Sequence, residues 1–123
     1  MSKSLLVTGV AGFIGRYVAR YFIEQGWSVI GIDNSPPENA PLANLKAYHR
    51  LQLPDPSLAT LIASYSPQVW VHCAGRASVA SSITDPASDF YGNTLLTFEV
   101  LNTLRVSAPQ CKFIYLSSAA VYG

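Results

Sequence analysis

The run Leu6–Val7–Thr8–Gly9–Val10–Ala11–Gly12–Phe13–Ile14–Gly15 spaces three glycines as G-x-x-G-x-x-G. Each has a physical task in holding a diphosphate. Gly9 lets the chain leave a strand through backbone angles that a Cβ would hinder. Gly12 lets the main chain approach a pyrophosphate, and Gly15 lets the following helix pack closely on the strand. The phosphates would meet the unpaired N–H groups and the positive dipole end of that helix. Asp33 lies 24 residues after Gly9, where a dinucleotide fold puts the carboxylate that accepts the adenosine ribose hydroxyls. A hydrogen bond to such a charged group contributes ~1.5–3 kcal/mol, and the same charge would repel a 2′-phosphate. No Arg or Lys lies between Asp33 and Leu45 to receive one, so these residues point to NAD(H) rather than NADP(H). The competing reading is that Asp33 only opens a turn with Asn34.

Elements of alternating type must carry these groups. Lys3–Thr8, Trp27–Asp33, Ala47–Leu53, Gln68–Ala74 and Lys112–Ser117 read as strands. Phe13–Gln25 reads as a helix ended by Gly26 in a left-handed C-cap. Leu58–Tyr65 reads as a second helix, with Asp55 or Ser57 as its cap, and a long third helix runs from Pro86, capped by Asp85, to about Val106. Asn34–Leu45, with three prolines, reads as a loop with room for one helical turn at Leu42–Leu45, and Gly75–Asp85 as a Ser/Ala-rich loop. Strand–helix alternation means right-handed crossovers and a parallel sheet. The expected fold is α/β, a Rossmann-type doubly wound sheet of five strands in the order 3-2-1-4-5.

The 123 residues make one domain, half apolar and only 12% charged, which suits a sheet buried on both faces. A net charge of +1 gives no electrostatic case for nucleic acid or an anionic membrane. No signal peptide is evident, and no stretch reaches the ~20 apolar residues of a membrane span. Cys73 and Cys111, without metal spacing, read as free thiols of a reducing, cytoplasmic compartment. No metal site is expected. His72, inside an apolar strand, reads as a hydrogen-bonded core residue rather than a base.

TGVAGFIG, the strand-end Asp33, VHCAG (Val71–Gly75), DPASDFYGN (Asp85–Asn93) and LSSAAVYG together resemble the extended short-chain dehydrogenases/reductases. Within them the likeness is to the NAD-dependent nucleotide-sugar epimerases and dehydratases, with UDP-glucose 4-epimerases the nearest pattern, and it spans Leu5 to Gly123. The resemblance implies that Phe13 and Ile14 donate backbone N–H groups to the pyrophosphate. It counts Asn34 with Asp33 among the cofactor-binding residues and puts Gln52 and Leu53 beside the adenine, where Gln52 replaces the family's usual aspartate. It lines the cofactor with Cys73, Ala74 and Gly75, sets Asn93 near the dinucleotide, and gives Ser118 the catalytic Ser/Thr position. A serine after a strand also commonly satisfies local backbone groups. Ser117 reads as structural and Tyr122 as a packing residue.

The family's chemistry needs Y-x-x-x-K, and no tyrosine here has a lysine four residues on. The expectation is an NAD-binding domain over residues 1–123 that is the N-terminal portion of a longer enzyme, inactive alone, with the catalytic helix and sugar domain absent. Its substrate would be a nucleotide sugar. On a helical wheel Phe90, Thr97, Leu101 and Leu104 form one stripe, with Leu96 and Val100 on one side and Leu95, Phe98 and Val106 on the other. The excess apolar width suggests a homodimer through the Asn93–Val106 helix, or a broad core contact. Two other functions compete: a non-catalytic NAD(H) sensor or scaffold, and an NADP-dependent reductase of the same superfamily.

Overall fold

A computed structural model describes residues 3–39, 44–75 and 79–122. Its strands are β1 (Ser4–Thr8), β2 (Ser28–Asp33), β3 (Ala47–Arg50), β4 (Val69–His72) and β5 (Lys112–Tyr115). Its helices are α1 (Phe13–Glu24), α2 (Leu58–Tyr65), α3 (Val79–Thr84), α4 (Pro86–Phe90) and α5 (Leu96–Ser107), with a π turn, Tyr91–Leu95, joining the last two. The sheet is parallel throughout, in the order β3-β2-β1-β4-β5, as the alternation of elements requires.

Alternate residues of each inner strand serve opposite faces. Leu6, Ile30 and Trp70 pack with Leu58 and Ile62 of α2 and with Leu96, Val100 and Leu104 of α5. Leu5, Val7, Val29 and Val71 pack with Val10 and with Ala19 of α1. Burying each such leucine, isoleucine or valine contributes about 1.5–3 kcal/mol, and this pins the register of the strand ends above. α1 closes with a Schellman motif: Gly26 N–H donates to Ile23 O and Trp27 N–H to Phe22 O, both at 3.0 Å. The Phe22 and Trp27 rings meet edge to face across it, 5.0 Å apart.

Several expected boundaries move, for one reason. Thr8, Asp33, His72 and Tyr115 end their strands near a common rim, because each strand stops where its neighbour turns away. Leu51 N–H still donates to Asp33 O at 2.9 Å, but β2 ends there, so β3 stops at Arg50 rather than Leu53. Cys73 N–H likewise reaches Thr8 O at 3.1 Å, the last carbonyl before the glycine turn, so β4 stops at His72 rather than Ala74. The Ser/Ala-rich stretch read as a loop contains α3, although residues 76–78 lie outside the described set. The helical turn expected at Leu42–Leu45 also falls partly outside it.

The long helix exists but is broken in phase by the π turn. The turn shifts the phase of Phe90 against α5, whereas Thr97, Leu101 and Leu104 all lie within α5, so the expected stripe was centred to one side of the face that α5 buries. Leu96, Val100 and Leu104 face the core, while Phe90 and Leu101 are exposed. Among the described residues no helix is long and apolar enough to cross a membrane.

Candidate functional site

The glycine turn leaves β1 at the carboxyl rim. Gly9 has φ +69°, and a Cβ there would lie 2.8 Å from both the Ala74 nitrogen and the Cys73 carbonyl carbon. The position excludes a side chain by backbone angle and by space. Its N–H donates to Ile32 O at 2.8 Å, tying the turn to β2. Gly12 caps α1 in an extended conformation with no side chain over the helix end, where the first N–H groups have no carbonyl four residues back. Gly15 is buried, and a Cβ on it would strike the Gly9 carbonyl. Its close approach is thus to the turn itself rather than to the strand proper. The side chains of Phe13 (77% exposed) and Ile14 are open to solvent, leaving the main chain as what these positions can offer.

Asp33 ends β2 beside this turn, and both readings of it have a geometric basis. Oδ1 accepts the Ser35 N–H at 3.0 Å, closing a local turn. Oδ2 accepts the Ala11 N–H at 2.9 Å, fixing the glycine loop. Each oxygen retains a further lone pair, and Asp33 lines a crevice of about 500 Å³ with Gly9 and Gly12. Asn34 and Gln52 also line it, joined by an Asn34 Nδ2–H···Oε1 Gln52 bond of 2.9 Å. A cation does stand at this strand end. Arg50, paired with Asp33 across the sheet, donates its Nε–H to Asn34 O at 3.2 Å. Counting only Asp33 to Leu45 along the chain missed it, because it arrives from the neighbouring strand. Tyr48 donates to Ser35 O at 2.6 Å. Its phenol is pushed above the ordinary value by burial first and the Asp33 charge second, with Arg50 opposing.

Cys73, Ala74 and Gly75 form the opposite wall. Burial pushes the Cys73 thiol up to about 11, so it is neither a thiolate nor a nucleophile at neutral pH. The wall is held from beneath by Thr8, whose Oγ accepts the N–H groups of Cys73 (3.1 Å) and Ala74 (3.2 Å) and lies 2.8 Å from His72 Nδ1. His72 is 3% exposed, and burial pulls its pKa down to about 4. It is the hydrogen-bonded core residue that its apolar strand suggested. Among the described residues no group of three His, Cys, Asp or Glu could hold a metal.

Asn93 stands behind the wall rather than in it. A Cβ on Gly75 would come 2.6 Å from Asn93 Oδ1, and Asn93 Nδ2 donates to Asp89 Oδ1 at 3.1 Å. Ser118 is exposed beyond β5 and is not among the residues bounding the crevice; its carbonyl accepts Val121 N–H at 3.1 Å. Leu53 lines the crevice from the core, with Leu51 and Pro54 beside it. Ile32, Ser88, Tyr91, Gly92 and Leu96 complete the lining and were not among the expected site residues. The four-residue spacing of 88, 92 and 96 was a usable signal, and Tyr91, which the π turn delivers, lies with Ser88 and Gly92 inside the Asp85–Asn93 block.

Comparison with known proteins agrees with this geometry. The family model described as NAD dependent epimerase/dehydratase matches residues 5–123. CDP-paratose 2-epimerase of Salmonella typhi is 32% identical over 97% of the chain and 38% of that protein. The UDP-glucose 4-epimerase of Thermotoga maritima, solved with UDP-glucose, superposes with a TM-score of 0.88 at 32% identity, covering 98% of this chain and 40% of that one. The Brucella ovis UDP-glucose 4-epimerase, solved in complex with NAD, gives 0.89 at 28% identity, covering 99% and 38%. The chain thus spans roughly two fifths of the length of the relatives it matches. By its glycine turn, strand-end carboxylate, strand order and family match, the chain belongs to the NAD-dependent epimerase/dehydratase family.

Proposed function

We propose that this chain is the NAD-binding part of a nucleotide-sugar epimerase or dehydratase. The observation that carries the reading is the crevice where an open helix N-terminus, a strand-end carboxylate and a glycine-only approach meet. The residues fit the group. The main chain at Gly12, Phe13 and Ile14 would receive the diphosphate. The free lone pairs of Asp33, with Asn34 beside it, would take the adenosine ribose hydroxyls, and Gln52 and Leu53 would flank the base. Cys73, Ala74 and Gly75 would wall the dinucleotide, with Asn93 steadying Gly75 from behind. Bound NAD supplies a hydride acceptor and donor for a sugar carbon. Ser118 would hydrogen-bond the reacting sugar hydroxyl, and proton transfer falls to a Tyr-x-x-x-Lys pair that these 123 residues lack. Turnover from this chain alone is therefore not expected.

A homodimer through α5 extends the proposal. Phe98 (59% exposed), Leu101 and Val106 (68% exposed) lie outside while Leu96, Val100 and Leu104 are in the core, an apolar outer set that a second copy would cover. The free cysteines, Cys73 and Cys111, favour a reducing, cytoplasmic setting. Titration calorimetry with NAD⁺ tests the central claim. Saturable binding is expected, lost in Gly12→Val, where a branched side chain would enter the crevice. Absence of saturable binding to the folded chain would refute it.

A further inference from the structure

Thr8 and His72 are register partners on β1 and β4, at the rim. The Thr8 oxygen accepts the N–H groups of Cys73, shared with Thr8's own carbonyl, and of Ala74. Two donors occupy the two lone pairs of a hydroxyl. Its remaining capacity is its own proton, and the atom within reach is His72 Nδ1 at 2.8 Å. The hydroxyl therefore donates, Nδ1 is bare, and the imidazole proton sits on Nε2. The opposite tautomer would bring a third donor to an oxygen already engaged by two. Among the described residues Nε2 is buried with no hydrogen-bond partner, a burial cost that a hydrocarbon of similar size would not incur. The polar contact that the ring does make is through its other nitrogen, Nδ1.

We propose that His72 is a positioning residue. By accepting the Thr8 proton, it aims both lone pairs of Thr8 at the Cys73 and Ala74 amides and so holds the crevice wall against Gly9. That wall has no slack, because a Cβ on Gly9 would already crowd both residues. The consequence for nucleotide affinity rests on the dinucleotide reading above; the tautomer and the wall do not.

The test uses the ¹⁵N-labelled chain. Long-range ¹H–¹⁵N spectra at pH 7 are expected to show His72 protonated at Nε2 and bare at Nδ1. In His72→Asn the amide oxygen takes the bond position of Nδ1, whereas His72→Phe fills the space without an acceptor. The Phe variant is expected to speed hydrogen exchange of the Cys73 and Ala74 amides by about tenfold or more and to weaken NAD⁺ binding by about tenfold. The Asn variant is expected to restore both most of the way. Should the Phe variant fail to fold, Thr8→Val and its rescue Thr8→Ser make the same comparison from the other partner. A proton on Nδ1, wild-type amide exchange in the Phe variant, or an Asn variant no better than Phe would overturn the inference. Slow exchange of both amides with the expected tautomer, in a chain that binds no NAD⁺, would support it and sink the dinucleotide reading instead.

Discussion

Replacing Gly9 by alanine tests the architecture of the turn most directly. Two costs add. An L-residue at φ +69° loses ~1–2 kcal/mol. The new Cβ would also lie 2.8 Å from backbone atoms of Cys73 and Ala74, which cannot swing aside as a side-chain tip can. Overpacking of that kind costs ~1–3 kcal/mol. The sum, ~2–5 kcal/mol, is a large part of the 5–15 kcal/mol that holds a domain together, and for a chain of this size it lowers Tm by ~8–20 °C. Gly26→Ala is the control: φ is +88° but nothing lies within 4 Å of its Cβ, so only the backbone cost of ~1–2 kcal/mol remains. Thermal melts and urea titrations of both variants, followed by circular dichroism, make the comparison. Equal destabilisation by the two would refute the claim that the β4 wall is packed against the turn.

Three further predictions concern single groups. Burial holds the folded-state pKa of His72 at about 4, below its ordinary 6.5, so the unfolded chain binds the extra proton between those values. Stability is then full above pH 6.5 and falls as pH drops toward 4, by on the order of 3 kcal/mol in all; urea midpoints across that range should show the slope, and His72→Asn should flatten it. The Cys73 thiol, raised to about 11, should resist iodoacetamide at pH 7.5 in the folded chain and react readily in urea, as mass spectrometry of the modified peptide would report. Arg50→Gln should weaken NADP⁺ binding severalfold relative to NAD⁺, through loss of the cation beside Asn34; an unchanged ratio would show that Arg50 does not reach the 2′ position.

Local signals made most of this molecule readable in advance. Gly9, Gly12 and Gly15 are constrained by contacts within a few residues or with the adjacent strand, and the spacing to Asp33 follows from one helix and one strand of ordinary length. The strand order follows from alternation and handedness. What escaped depends on neighbours distant in the chain. Arg50 stands beside Asn34 because β3 pairs with β2, and the tie from Thr8 to the Cys73–Ala74 wall spans some 65 positions. α3 was obscured because its serines and threonine favour local backbone bonds over helix, yet Thr84 Oγ donates to Ala80 O at 3.2 Å within that helix. Ser118, singled out by a block of residue types, is exposed beyond β5 and outside the crevice walls, a placement that no linear pattern specifies.

The π turn between α4 and α5 has a mechanical consequence. One surplus residue in a turn advances the screw angle of everything after it, so Tyr91–Leu95 works as an offset coupling between two shafts. The upstream shaft presents Ser88 and the downstream one seats Leu96, Val100 and Leu104. The Thr97 hydroxyl donates to the Asn93 carbonyl at 2.7 Å, where the ladder is irregular. Deleting one residue from this coupling would let plain α geometry run through while α5 stays seated, and it would change how Tyr91 and Gly92 meet the crevice they line. Shape at the rim can thus be retuned here by changes in length, with the hydrophobic anchorage untouched.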